Sequence, residues 1–480
     1  MLGAAVAPHA AFVSPQPAWA EQDPDGWWRA SQQAVRLAMI ESRVSPAAIV
    51  AVGLSGQMHG AVVLDADGAV VRPAMIWCDQ RTEAECDWLT ATVGRARLLE
   101  LTSNPALTNF TLTKLLWLRR HEPANWARVR HVLLPKDYVR YQLSGEYATD
   151  VADASGTLLL DVARRAWSPE MVDAAGLSMS LLPSVFESAE ICARVSAAAA
   201  ALTGIPAGTP IVAGAGDQAA GAVGMGVARA GVVSATIGTS GVVFAATDRP
   251  VRDPQGRLHT FCHAIAGRWH IMGVTQAAGL SLRWWRDQLG LRADDSGYDT
   301  LTAEAGAAPP GADGVLWAPY LMGERTPHLD PQVRAALLGL SAHHTRRHIA
   351  RAVLEGVAFS LRDSFTIFSD LQVPIHHVRL GGGGARSGLW RQIQADVYGL
   401  PVETVAADEG AAFGAALLAG VGAGRWSDVD SACDQLVHVA TVTHPRDDVV
   451  RVMNERYQVY RRIYPALKRT TNQRDAVLGV

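Results

Sequence analysis

TPIVAGAGDQAAGAVGMG, residues 209–226, is the stretch that decides how the chain is read. Residues 210–214 form a short apolar run that reads as a strand, entering a turn of small residues. One acid, Asp217, stands at that turn, and helical positions follow. A carboxylate fixed by a rigid strand end is well placed for general-base work, and small neighbours let a substrate or nucleotide approach the backbone. The same acid would also serve as a plain helix cap, and pattern alone leaves both readings open. Residues 214–219 also match G-x-G-x-x-A, the dinucleotide fingerprint. That reading needs an acid about 20 residues on, at the next strand end. Residues 234–241 read SATIGTSG, with no acid, which counts against a nicotinamide enzyme.

Working outward, residues 231–236 and 241–245 read as two strands joined through IGTSG, residues 237–241, so part of the second sheet is expected to be antiparallel. The N–H groups of Gly238, Thr239 and Ser240 and the two hydroxyls suit phosphate oxygens; an ordinary hairpin turn looks the same. Residues 378–380 read as a strand ending in four glycines, 381–384, before a helix whose face is Leu389, Trp390, Ile393 and Val397. Gly383 and Gly384 would leave room for a flat group such as adenine, or for a close helix–strand contact. No G-x-x-x-x-G-K-[ST] occurs, so this is not a P-loop protein. Earlier, the apolar run 48–54 reads as a buried strand ending in SGQMHG, residues 55–60. Met58 and His59 offer a thioether and an imidazole to a polyol, though a buried histidine bonded to backbone fits equally. Asp79 and Arg81 read as a surface pair, and GERTPH, 323–328, as a structured loop.

At 480 residues the chain is too long for one core. A net charge of −3 gives no hint of nucleic-acid or anionic-membrane binding. The apolar region 193–246 is broken by Arg194 and Asp217 and reads as buried strands, not a membrane span. The five cysteines are scattered without a C-x-x-C, as in a reduced cytosolic protein. Residues 1–20 imitate a secretion signal, but no Lys or Arg precedes Arg29 and Pro8, Pro15 and Pro17 interrupt the run, so no leader is expected. Asp25 is expected to cap a helix from Trp27, with Trp28, Val35 and Met39 on one face. A hairpin is expected around residues 65–68, mostly helix over 79–130, and an amphipathic helix over 348–364 carrying Ile349, Val353 and Val357. The polar tail from Lys468 is expected to fray. The alternation makes an α/β protein, with an N-terminal domain over 1–228 and a C-terminal domain over 229–480.

Several segments, taken in order, carry a resemblance: AEQDPDGWW (20–28), SGQMHG (55–60), TKLLWLRRHEP (113–123), LLPKDYVRYQLSGE (133–146), AGDQAAGAVG (215–224), IGTSG (237–241), FCHAI (261–265), PYLMGERTPH (319–328), ARAVLEGVAFSLRD (350–363) and GGGARSGLWRQIQADV (382–397). Together they resemble the two-domain carbohydrate kinase family that includes glycerol kinase, gluconokinase and xylulokinase. The resemblance implies two actin-like (ribonuclease H-like) domains around a central cleft. It implies transfer of phosphate from ATP, with Mg²⁺, to a sugar hydroxyl, here the 5-hydroxyl of D-xylulose. On matching positions Asp217 would be the base; Met58, His59 and Gln218 would line the ketopentose site; and Gly238, Thr239 and Ser240 would touch ATP phosphates. Gly279, Gly383 and Gly384 would lie along the nucleotide, and metal ligands are left unassigned. A homodimer is compatible with it; nucleic-acid and membrane partners are not implied. A sister kinase for another sugar, or a truncated sugar-binding relative, are the other readings.

Members of that family begin with a strand, a turn resembling D-x-G-T-S-x-x-K that grips phosphate and places Mg²⁺, and a second strand. Here MLGAAVAPHAAFV, residues 1–13, aligns with the segment beyond that hairpin, and Lys114 is the first lysine. The expectation is that the first β-hairpin of domain I is missing and that the start lies at an internal codon. Adjoining strands would then have unpaired backbone groups and open edges, giving poor solubility and little kinase activity.

Overall fold

The computed structural model describes residues 1–406 and 410–469. Helix α1 (Pro24–Ser42) begins earlier than the sequence suggests, because Asp23 caps it and takes the Asp25 N–H at 3.0 Å. Pro24 fits the first turn, where no N–H is needed. Asp25 instead accepts a hydrogen bond from the Tyr138 hydroxyl. Trp27 and Trp28 are buried, with Val35 and Met39 packed on the same cluster.

The run 48–54 is not the buried strand expected. Val50 is 66% exposed, and the pairing runs along residues 210–215: Val52 N–H donates to the Pro210 carbonyl and Val212 N–H to the Val52 carbonyl. With neighbours along that edge, the run is only half covered. Regular pairing begins at strand β1 (Ser55–Gly56). Strand β2 (Val62–Leu64) turns as expected, with Leu64 bridging Val70 and the Asp65 carboxylate taking the N–H groups of Asp67 and Ala69. The 79–130 region is mostly helical, including α2 (Thr111–His121). Asp79 and Arg81 do pair, at 2.6 Å, but inside: their side chains are 0% and 1% exposed. The surface reading fails because Trp19 covers the guanidinium at 3.7 Å, and Glu21 joins the pair.

Strand β3 (His131–Leu133) pairs antiparallel with β2. Helices α3 (Pro135–Ser144) and α4 (Val151–Ala154) come next, then β4 (Ala215–Gly216) and α5 (Asp217–Gly224). Strands of this first half pair in twos.

The second half is built on one seven-stranded sheet. Its strands are β5 (Gly231–Ile237), β6 (Gly241–Thr247), β7 (His259–Cys262), β8 (Trp269–Thr275), β9 (Ile375–Gly382), β10 (Val402–Val405) and β11 (Val439–Thr443), in spatial order β7-β8-β6-β5-β9-β10-β11. The antiparallel part lies where the tight 237–241 turn predicted it. The β5–β9 pair is parallel, so it needs a long crossover. That stretch of chain carries helices α6 (Gly279–Gln288), α7 (Asp295–Gly306) and α8 (Arg346–Asp370). Helix α8 opens with a Thr345–His348 capping box and buries Val353, Val357 and Phe359 in the main core. Helix α9 (Gly388–Tyr398) buries Trp390, Ile393 and Val397. Helix α10 (Gly410–Gly422) joins the halves by packing on α5: a β-carbon on Gly414 would stand 1.8 Å from the Ala220 carbonyl oxygen. Residues 470–480 of the polar tail lie outside the described residues. No helix among those described is long and apolar enough to cross a membrane.

Candidate active site

Strands β1 and β4 run parallel, with Ser55 opposite Ala215 and Gly56 opposite Gly216. Both chains therefore leave the ladder at one end, β1 into Gln57-Met58-His59 and β4 into Asp217. Asp217 is the first residue of α5 and Gly216 is the N-cap, so the acid is not itself the cap. Its carboxylate accepts the Gln218 N–H at 2.9 Å and the Gln218 side-chain amide at 3.4 Å. Burial raises its pKa, against the pull of those hydrogen bonds. A half-buried carboxylate with spare acceptor capacity at a strand end is suited to take a proton.

Met58 fills the space over Gly216. His59 sits in the left-handed region at φ 66°, and its Nδ1 lies 2.9 Å from the Gly156 carbonyl oxygen. Its ring packs against Phe110 and Phe261, with centroids at 5.1 and 6.0 Å. Burial pushes His59 well below the ordinary imidazole range, so it is neutral at physiological pH. The ring is thus a buried histidine bonded to backbone. The structure brings Met58, His59, Asp217 and Gln218 together at one end of the β1–β4 pair.

Two lysines in this region went unassigned in the sequence. Lys114 donates to the His59 carbonyl at 2.9 Å and also to that of Asn109, which fixes the segment after β1; burial lowers it to about 7. Lys136 meets three carboxylates, Asp137 at 2.5 Å, Asp150 at 2.6 Å and Asp153 at 3.3 Å, all sealed from solvent. Arg140 adds a 2.8 Å contact to Asp137. Burial pushes Asp153 well above the usual carboxylate range despite Lys136. Asp153 lies under the strand end, its Oδ1 3.2 Å from where a β-carbon on Gly216 would be. The signal in the sequence was scarcity: the chain's lysines are Lys114, Lys136 and Lys468.

In the second half, Gly238 N–H closes the 237–241 turn on the Ser240 carbonyl at 3.0 Å, while Gly279 N–H and Leu280 N–H hold the carbonyls of Gly238 and Thr239 at 2.9 and 3.1 Å. The β5–β9 pairing sets Ile237 opposite Gly382, so the turn and the glycine run are neighbours. A cavity of about 770 Å³ opens there, with Gly238, Thr239, Gly279, Gly383 and Gly384 in its wall, but not Ser240. That volume suits a ligand of nucleotide size. Tyr298 and Asp299 of α7 also line it; no local sequence pattern marked them. No group of three or more His, Cys, Asp or Glu among the described residues could hold a metal ion.

An acid at a strand end in one half and a glycine-floored cavity of nucleotide size in the other suit phosphoryl transfer to a small hydroxylated substrate. The comparison agrees: residues 4–224 match the N-terminal domain and residues 233–423 the C-terminal domain of the FGGY family of carbohydrate kinases, and the chain belongs to that family. It is a transferase that acts on an alcohol group, with ATP as donor and a sugar as acceptor. The xylulose kinase of Escherichia coli (strain K12) is 41% identical over 410 residues, covering 85% of this chain and 83% of that one. The xylulose kinase of Bacillus subtilis (strain 168) is 36% identical over 457 residues, covering 95% and 91%. A crystal structure of a xyloylose kinase from Brucella ovis matches with a TM-score of 0.90 at 36% identity, covering 97% of this chain and 94% of that one.

Proposed function

We propose that the chain transfers the γ-phosphoryl group of ATP to the 5-hydroxyl of D-xylulose, giving D-xylulose 5-phosphate and ADP. The observation that carries the choice of sugar is similarity to xylulose kinases over 95% of the chain. In this reading Asp217 receives the hydroxyl proton. Its raised pKa makes it a stronger base than an exposed aspartate. Met58 and the Gln218 amide contact the sugar, and the His59 segment, pinned by Lys114, shapes its site. The 238–240 turn meets the phosphates, with the Thr239 hydroxyl and main-chain N–H groups as donors. The nucleotide lies along Gly279, Gly383 and Gly384. Phosphoryl transfer depends mostly on this alignment and on offsetting phosphate charge.

Mg²⁺ fits as an ion carried by the nucleotide phosphates, because such ions keep water ligands and need few protein oxygens; the Thr239 hydroxyl and the Asp299 carboxylate in the cavity wall and the Asp217 carboxylate are among the oxygens that would hold it. When bound, the ion neutralises charge on the transferring group. The halves are read as actin-like domains, 1–228 and 229–480, in a cytoplasmic enzyme for which a homodimer is compatible.

The test is ADP release and thermal stabilisation with D-xylulose, D-ribulose, glycerol and D-gluconate. D-Xylulose should give the highest kcat/KM and the largest rise in Tm. A higher kcat/KM with any other acceptor would overturn the assignment.

A further inference from the structure

The loop 319–330 is fastened beside the 237–241 turn, since Gly241 pairs with Thr275 and the loop is tied to the residues on either side of Thr275. Its backbone is tied to the second sheet. The Glu324 carboxylate takes Gln276 N–H at 2.8 Å, Thr326 N–H donates to the Val274 carbonyl at 3.0 Å, and the Thr326 hydroxyl donates to the Arg257 carbonyl at 2.7 Å. These anchors are the end of β8 and the approach to β7. Gln276 shortly precedes Gly279, whose N–H holds the Gly238 carbonyl, so the loop and the 238–240 turn are fastened to one stretch of chain. On the other flank, His259 of β7 packs on Phe110 at 5.6 Å and Phe261 on His59 at 6.0 Å. Arg325 stands between the two anchored residues, Glu324 and Thr326.

Its guanidinium is left over. Among the described residues no hydrogen bond or ion pair involves the Arg325 side chain, although it is partly buried. Other buried arginines are matched: Arg81 with Asp79, Arg140 with Asp137, Arg351 with Glu355. The adjacent Glu324 is no counter-charge. Its Oε1 is taken by the N–H groups of Gln276 and Arg325, and burial pushes it to about 8, so it is mostly protonated at neutral pH. Burial is the main reason His59 and His259 lie below the ordinary range, and the Arg325 charge adds to it in both, so that charge is felt across the junction.

A guanidinium without a partner, carried on an anchored backbone, is matched in geometry to a phosphate through its planar fork of N–H donors. We propose that Arg325 is a phosphoryl-binding residue: it holds the non-bridging oxygens of the group in transfer and then the phosphate monoester of the product. The proposal rests on the kinase reading above. In that step the sugar O5 bonds to the γ-phosphorus as the bond from phosphorus to the β,γ-bridging oxygen breaks. The hydroxyl proton passes to Asp217, and ADP leaves with the bonding pair. Arg325 forms hydrogen bonds that strengthen as charge shifts among the phosphoryl and leaving oxygens.

The experiment is calorimetric titration of the full chain and its Arg325→Gln and Arg325→Lys variants with D-xylulose 5-phosphate and, separately, with D-xylulose. The expected result is that Arg325→Gln weakens the phosphate ester on the order of 10- to 100-fold and leaves D-xylulose within about twofold, with Arg325→Lys between. Equal affinity of parent and Arg325→Gln for the ester, absence of ester binding by the parent, or a parallel loss for both ligands overturns it. A turnover arm separates the two readings. If the parent binds the ester but phosphorylates no sugar, the function fails and the Arg325 site stands. If D-xylulose is phosphorylated and Arg325→Gln keeps the parental kcat, the function stands and the Arg325 role falls. Partial recovery of Arg325→Gln turnover by added guanidinium would support the role.

Discussion

Gly216 lies so close to Met58 that a β-carbon on the glycine would stand 2.7 Å from the Met58 Cγ. The residue before the candidate base and a residue proposed to face the sugar therefore form one packed unit. Asp153 closes it from the other side, its Oδ1 3.2 Å from the same point. Gly216→Ala forces one of them to move. Overpacking of this kind costs about 1–3 kcal/mol. Urea unfolding should show a lower midpoint, and D-xylulose affinity should fall while ATP affinity holds. An unchanged midpoint with unchanged sugar affinity would show that the contact is slack.

The Lys136 cluster makes a second prediction. Lys136→Met leaves Asp137, Asp150 and Asp153 with Arg140 as the cation in contact. Removing one partner from a buried charge cluster costs about 3–5 kcal/mol. The sign with pH comes from the orphaned carboxylates, which ionise only at a cost when folded. The deficit should be largest at neutral and alkaline pH and shrink on acidification, as Asp150 and Asp153 take up protons. Denaturant unfolding from pH 5 to 8 measures it; a pH-independent deficit would argue against uncompensated charge.

The glycine run separates binding from folding. A β-carbon on Gly383 meets nothing closer than the Ile237 carbonyl oxygen at 4.0 Å, yet Gly383 lines the cavity proposed for the nucleotide. Gly383→Ala should raise KM for ATP several-fold and leave Tm and the KM for D-xylulose unchanged. Gly384→Ala, whose β-carbon would stand 2.6 Å from the Ile237 Cβ, should lower Tm as well. The reverse pattern would show that the nucleotide lies elsewhere.

Asp217 carries a stability penalty that pH should reveal. Burial raises its folded pKa, so the folded state binds the proton more tightly than the unfolded chain. The cost of holding the charge is fully present above the raised pKa and disappears as pH falls below the unfolded value. Asp217→Asn should therefore melt at or above the parental Tm at pH 7–8, and the gap should close toward pH 4. A variant that melts lower at neutral pH would mean the carboxylate is a structural support.

The features legible in the sequence and those hidden from it divide by range. The 237–241 turn, the glycine run that ends β9 and helix α8 were legible because turn chemistry and helical period are local. Asp217 stood out as one acid in a run of small residues. The failures were tertiary. Residues 48–54 have the apolar pattern of a buried strand, but pattern does not count neighbours, and Val50 faces solvent. Asp23 and Asp25 each satisfy the capping rule; the Tyr138 hydroxyl, from a distant helix, takes Asp25. Asp79 and Arg81 look solvated until Trp19 covers them. Tyr298 and Asp299 reach the cavity only because α7 folds across it.

The Asp217 carboxylate as proton acceptor is the centre of the proposed mechanism, and coupled ADP release with D-xylulose measures that role most directly. Asp217→Asn is predicted to lower kcat roughly 100- to 10,000-fold while D-xylulose still raises the variant's Tm. Turnover within about tenfold of the parent, in a variant that binds the sugar normally, would contradict it, since general-base assistance is worth more than that.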